Sequence, residues 1–378
     1  MKRNLLLLLV LFVFSLQTNA TIRRVGYTAT IQAVNNVDYV NFQAAHDAAA
    51  NNDTIQLYPG VSGTINYTGT INKPLFIVGV GYFTNSYYLT GTEIPNANLQ
   101  NLVGLINTCN FNVNLGSAGT IFQALNMLTI TTTSRVDSLN NITINRCRGV
   151  SVVFDNSGVC NNWLLAQCFG LTIAQTNASG SFTGNRTITN MIIRNTLING
   201  GITLSTSPVG SFVGNKIYNC NFISGSSLSL NGAFFTIQNS IFEGQNFTAV
   251  SNVSFIKNLT TLAAASNPIS TNAGSSGNLF SQNFNNIFVG YPTNPQVASK
   301  DSYTPDARFQ LKASSPAINA GFLPTTSTVT DCGMYGYGAN AYKLSGIAAI
   351  PVFIRLNAPS AIYTGSPYTM TFSVISNN

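Results

Sequence analysis

The chain has 378 residues and a formal net charge of +7, with 7% charged side chains against 45% hydrophobic ones. A chain this rich in apolar side chains buries a core and is not intrinsically disordered; its polar share is carried by Asn, Ser, Thr and Gly. The basic residues are scattered along the chain, with no Lys/Arg cluster interleaved with aromatics, which argues against a nucleic-acid partner.

The first residues read as an export signal. Lys2 and Arg3 form a positive start, Leu5 to Phe14 is an unbroken apolar run, and Thr18-Asn19-Ala20 offers small residues for cleavage. This is the pattern of a Sec-type signal peptide over residues 1–20, too short and wrongly flanked for a membrane anchor. The protein is therefore expected to be secreted or held at the cell surface. The most apolar later stretch, Ile347 to Leu356, contains Pro351 and Arg355, so no transmembrane segment is expected after signal removal.

Phe42 to Ala50 places Phe42, Ala45 and Ala49 near helical spacing, and Asn51-Asn52-Asp53 ends the pattern. Thr54 to Leu57 then reads as a strand, followed by a turn at Pro59-Gly60.

A repeat follows. Asn or Cys, then two residues later an apolar residue or Gly, recurs at Cys109, Asn126, Cys147, Cys168, Asn195, Cys220 and Asn239, with weaker copies at Asn258 and Asn285. The intervals are 17, 21, 21, 27, 25, 19, 19 and 27 residues, close to one coil of a β-solenoid. Gly200, Gly225 and Gly244 share an offset, and each precedes an alternating segment: Ile202-Thr203-Leu204, Leu228-Ser229-Leu230 and Phe247-Thr248-Ala249. Period-two alternation marks strands with one buried face. One coil cannot bury that face alone, so neighbours must stack on it and equivalent residues must form columns. In this register four of the six cysteines occupy the ladder position. Cys147 and Cys168 fall on adjacent coils, either as a disulfide or as free buried thiols. With no CxxC pair and no His partner, no metal is expected, and no cofactor.

These features resemble the pectate-lyase-like superfamily of right-handed parallel β-helix proteins, in its bacterial secreted form. The segment from Phe42 to Gly60 is similar to the start of its first coil, and the Asn/Cys repeats to its inner ladders. Asp306 to Gly321 and Asp331-Cys332-Gly333-Met334-Tyr335-Gly336 resemble its closing segment and the turn that follows. The resemblance implies an all-β, right-handed parallel β-helix domain over residues 21–345 with a short N-terminal cap helix. It implies no particular activity, because the superfamily hosts lyases, hydrolases, adhesins and inert scaffolds. Residues 346–378 read as a small β extension, Ile347 to Leu356 and Ala361 to Ser376, that packs back on the solenoid or pairs with another subunit.

No catalytic set stands out. Glycoside hydrolases need two facing carboxylates, but Asp137, Asp155 and Glu243 sit at different offsets in the repeat. His46, the only histidine, lies in the cap helix and reads as a half-exposed helix residue. One column could bind a ligand. The residues before the ladder positions are Arg146, Gln167, Arg194, Asn219, Gln238 and Lys257, which would form a polar, basic stripe on one face. Such a stripe is either a groove for an acidic polysaccharide or cell-surface glycan, or a solvated sheet face. The leading expectation is a non-catalytic exported scaffold or adhesin. The alternatives are a carbohydrate-active enzyme, a polysaccharide lyase or glycoside hydrolase using Arg146, Arg148 or Arg194 with Asp137 or Asp155, and a self-assembling filament subunit.

Overall fold

The computed structural model describes residues 20–26, 38–58, 65–82, 108–132, 138–154, 158–175, 186–205, 211–223, 225–232, 234–265, 267–290, 305–323, 326, 328–346, 351–357 and 371–376. Residues 1–19, expected to be the signal peptide, and Asp137 and Asp155 lie outside them. Among the described residues no helix is long and apolar enough to cross a membrane.

Three parallel sheets build the molecule. The first face has ten strands, from Ile22–Val25 to Val253–Ile256, and the second has eleven, from Asn66–Ile71 to Leu259–Thr260. The third has four: Ser138–Asn140, Gly158–Asn161, Arg186–Thr189 and Ser211–Val213. Each sheet steps from coil to coil in chain order, so the fold is a parallel β-solenoid, as the repeat predicts. On the first face the central residue of each short strand points inward. Ile144, Leu165, Ile193, Ile217 and Ile237 are paired in successive coils and fully buried. Each such side chain contributes roughly 1.5–3 kcal/mol, but only once the coils above and below cover it. The alternating segments pair as read, Ile202 with Leu228 and Leu228 with Phe247.

The N-terminal end is closed by helix α1 (Phe42–Ala48), two residues shorter than its sequence pattern. Asn41 caps it by accepting the Ala44 amide at 2.8 Å. Phe42 packs on Phe111 in the core, centroids 4.5 Å apart and rings tilted by 46°, and Gly69 is bare because a Cβ there would strike the Phe42 ring at 2.5 Å. His46 is not half-exposed but buried, with the Asn72 amide at 3.4 Å from Nε2 and Asp47 at 3.0 Å from Nδ1. It seals the helix against the coil below. Asp53 ties the cap to the first rung. Its carboxylate accepts from the Thr21 amide at 2.8 Å, the Ala50 amide at 2.9 Å and Arg23 Nε at 3.2 Å. Burial alone would raise its pKa, but the two amides and the guanidinium outweigh burial and hold it below the ordinary value. The folded state thus binds this proton more weakly than the unfolded chain. Its contribution to stability is complete above the unfolded pKa, about 3.9, and is lost as pH falls through the lower folded value. Asp53→Asn is therefore expected to lower stability at neutral pH, with the gap from wild type closing in acid. Denaturant melts at several pH values check this; a gap that stays constant down to the acid limit removes Asp53 as its source.

Side chains, small ones in most coils, bend inward where the first face turns into the second. Leu125, Cys147, Cys168, Thr196, Cys220, Ser240 and Asn258 form this column, with backbone bonds linking each coil to the next. Several take the amide of the preceding coil. Cys168 N–H donates to Thr196 Oγ1 at 3.2 Å, Cys220 N–H to Ser240 Oγ at 3.2 Å, and Ser240 N–H to Asn258 Oδ1 at 2.8 Å. Cys147, Cys168, Cys220 and Asn258 thus stand where the repeat puts them. Asn126, Asn195 and Asn239 do not: their neighbours Leu125, Thr196 and Ser240 hold the column. Cys109 lies inside the strand Thr108–Val113, paired with Leu128, and Asn285 lies in a 3-10 turn, Phe284–Asn286.

All six cysteines are free and buried. Burial pushes the thiols of Cys109, Cys168 and Cys220 up to about 12, so almost no thiolate forms at neutral pH. Native protein is expected to resist iodoacetamide at pH 8 and to label at all six thiols in guanidinium; mass spectrometry showing a labelled native thiol refutes this.

Beyond the solenoid, Pro351–Asn357 and Thr371–Ser376 form an antiparallel pair, the small C-terminal β extension.

Candidate functional site: a corner column under a C-terminal strap

The corner that precedes the inward column needs one residue with positive φ per coil. Arg146 (φ 54°), Gln167 (54°), Asn195 (49°), Asn219 (53°), Asn239 (51°) and Lys257 (55°) fill it. Non-glycine residues adopt this conformation at a cost, least for Asn. Four of the six stripe residues expected from sequence are here: Arg146, Gln167, Asn219 and Lys257. Arg194 and Gln238 are one residue earlier, at the ends of the strands Ile192–Arg194 and Phe235–Gln238, in the column of Asn145, Ala166 and Tyr218. The slip has a physical cause. Asn suits both the left-handed corner and the inward ladder, and the sequence pattern does not say which position a given Asn fills.

Except at the half-exposed Lys257, the column does not face solvent. The described residues between 321 and 346 run back across it, against the direction of stacking, and the corner side chains hold that strap by its backbone carbonyls. Asn239 Nδ2 donates to Phe322 O at 2.6 Å, and the Phe322 amide returns a bond to Asn239 Oδ1 at 3.2 Å. Gln238 Nε2 donates to the same carbonyl at 3.1 Å. One coil back, Asn219 Nδ2 reaches Asp331 O at 2.8 Å; the next, Asn195 Nδ2, reaches Gly336 O at 2.7 Å and Met334 O at 3.1 Å. Gln167 Nε2 then bonds Ala341 O at 2.8 Å and Asn340 O at 3.0 Å, with Arg194 Nη1 3.4 Å from Asn340 O. Arg146 Nε donates to Gln167 Oε1 at 2.9 Å, and Lys257 Nζ sits 4.9 Å over the Phe322 ring. Each bond is worth on the order of 1 kcal/mol, and each buried donor left unpaired would cost more.

The strap also closes a second hydrophobic core. Leu197, Ile241 and Leu259 point outward from the second face and are buried by Phe288, Phe309, Cys332 and Met334. Asp306 is fully buried beside it, accepting from Tyr342 Oη at 3.0 Å, with Tyr342 Oη 2.5 Å from Tyr82 Oη. Burial first, then the nearby Asp306 carboxylate, drive the ionisation of both tyrosines far above the ordinary value, so both stay neutral. The strap's glycines mark its path. A Cβ on Gly321 would meet Asn239, one on Gly333 would meet Asn221 and Ile241, and one on Gly336 would meet Asn219. That spacing, with the segments at 306–321 and 331–336, is the signal in the sequence from which the strap can be found.

Among the described residues no group of three or more His, Cys, Asp and Glu could hold a metal ion. Arg146 and Arg194 lie along the strap, Arg148 opens the strand Arg148–Phe154 of the second face with its guanidinium 3.5 Å from Asn126 Oδ1, and Asp137 and Asp155 lie outside the described residues.

Stacked parallel sheets, an inward ladder and a sealed corner define a parallel β-solenoid closed by its own C-terminal strap. The chain matches no protein-family model and no curated protein, so this class rests on its own geometry.

Proposed function

We propose that the protein is a non-catalytic exported scaffold, a solenoid of pectate-lyase-like type that presents its outer faces to the surroundings. One observation carries the reading: the polar column that would make a ligand groove is spent on holding the strap. Asn195, Asn219, Asn239 and Gln167 turn their amides to strap carbonyls, and each is 5% exposed or less. What faces out is repetitive and mostly uncharged, which suits rigid display more than bond cleavage. The test is incubation of the full chain with a panel of acidic and neutral polysaccharides. New reducing ends or unsaturated products would overturn the reading; unchanged polymer supports it.

A further inference from the structure

The second face carries an ordered outer surface beyond the corner. Thr68 and Thr70 pair with Asn110 and Asn112, and these with Thr129 and Thr131. The register continues through Ser151 and Val153 to Thr172 and Ala174; after a register shift the next strand pairs Ile202 with Ile173, which sets Thr203 next in the second column. The residues between them point inward and are buried, among them Phe111, Ile130 and Val152. No member of either column is charged or aromatic, in a chain whose net charge is +7.

These side chains differ from the other Asn and Thr of the fold. Thr196 in the inward column and Asn239 at the corner are buried and bonded within the chain. Thr68, Asn110, Asn112 and Thr203 are exposed, Thr129 and Thr131 half-exposed, and none of their side chains bonds another group among the described residues. Strand geometry fixes their spacing at about 7 Å along the strand and about 4.8 Å between coils. A β-branched threonine is stiff at χ1, so each hydroxyl and methyl is held in a repeating orientation. First-shell waters on such a grid are themselves placed at a regular repeat. Both spacings are close to oxygen repeats on the faces of hexagonal ice. A charge would impose its own hydration shell and break that order, and none is present. A sugar surface would call for aromatic rings to stack on, and none is present either.

We propose that this face binds ice, through an ordered water layer held by the two hydroxyl and amide columns. The ligand is the neutral, periodic surface of crystalline water.

The test uses the full chain in two assays, partition into a slowly growing ice hemisphere and inhibition of ice recrystallisation. Thr131→Tyr and Thr203→Tyr place bulk on the array at two separate coils. Thr143→Tyr places the same bulk on the outer side of the first face, in the strand Thr143–Asn145. Circular dichroism melts establish that each variant is folded, and two array variants guard against one failing. Wild type and Thr143→Tyr are expected to enter ice and suppress recrystallisation, and each folded array variant to lose at least an order of magnitude in both. A wild type excluded from ice like an inert control protein overturns the proposal, as does full activity in the array variants. Retention on microcrystalline chitin that the array variants abolish, with no effect on ice, also overturns it, in favour of a crystalline polysaccharide.

Discussion

Replacing Trp163 with alanine is expected to destabilise the solenoid by about 3–5 kcal/mol, the usual cost of emptying a large aromatic site in a close-packed core. Trp163 is 1% exposed and meets Phe154 edge-on at 5.2 Å between centroids. Its indole Nε1 donates to Leu139 O at 2.7 Å, one coil away. The side chain therefore joins two coils by packing and by a buried hydrogen bond at once. Trp163→Phe keeps most of the volume and loses the donor, and is expected to cost about 1–3 kcal/mol for the orphaned carbonyl. Trp163 is the only tryptophan of the chain. Its fluorescence in denaturant reports wild-type unfolding, while circular dichroism measures both variants. A change below about 1 kcal/mol for Trp163→Ala would show that the coil collapses to fill the space.

Asn239→Ala is expected to cost about 3 kcal/mol, as three hydrogen bonds are lost and a left-handed corner loses its preferred residue. Those bonds run to Phe322 O, from the Phe322 amide, and to Asn219 Oδ1 at 3.3 Å. Asn239→Gly separates the two contributions, because glycine accepts φ 51° without strain. The glycine variant should recover the backbone part only. Hydrogen exchange gives the location: protection should fall first in the strap from Gly321 to Met334. If protection falls equally in all coils, the strap is not a separately docked element.

The architecture was legible because solenoid columns repeat in sequence what they repeat in space. The pairing of Ile202, Leu228 and Phe247 is the pairing that their alternation predicts. Cys147, Cys168 and Cys220 stand in the inward column for the same reason: a small weakly polar side chain is what the bend admits. The corner itself was legible only to within one residue, since Asn195 and Asn239 satisfy either of two neighbouring positions. The cover over the stripe was not legible from the stripe at all. Its donors read carbonyl oxygens, which every residue has, so the segment they hold needs no matching side chains. Only the bare backbone required at Gly321, Gly333 and Gly336 leaves a trace.

Stacked coils ordinarily interact only with their immediate neighbours, so their number is free to drift as repeats are gained or lost. The strap removes that freedom. Asn239 and Gln167, three coils apart, are held by points on one stretch of chain at Phe322 and Ala341. A coil inserted between them would pull those anchor points out of step unless the strap grew to match, so the molecule measures its own length and its repeat number is fixed by a segment outside the repeat.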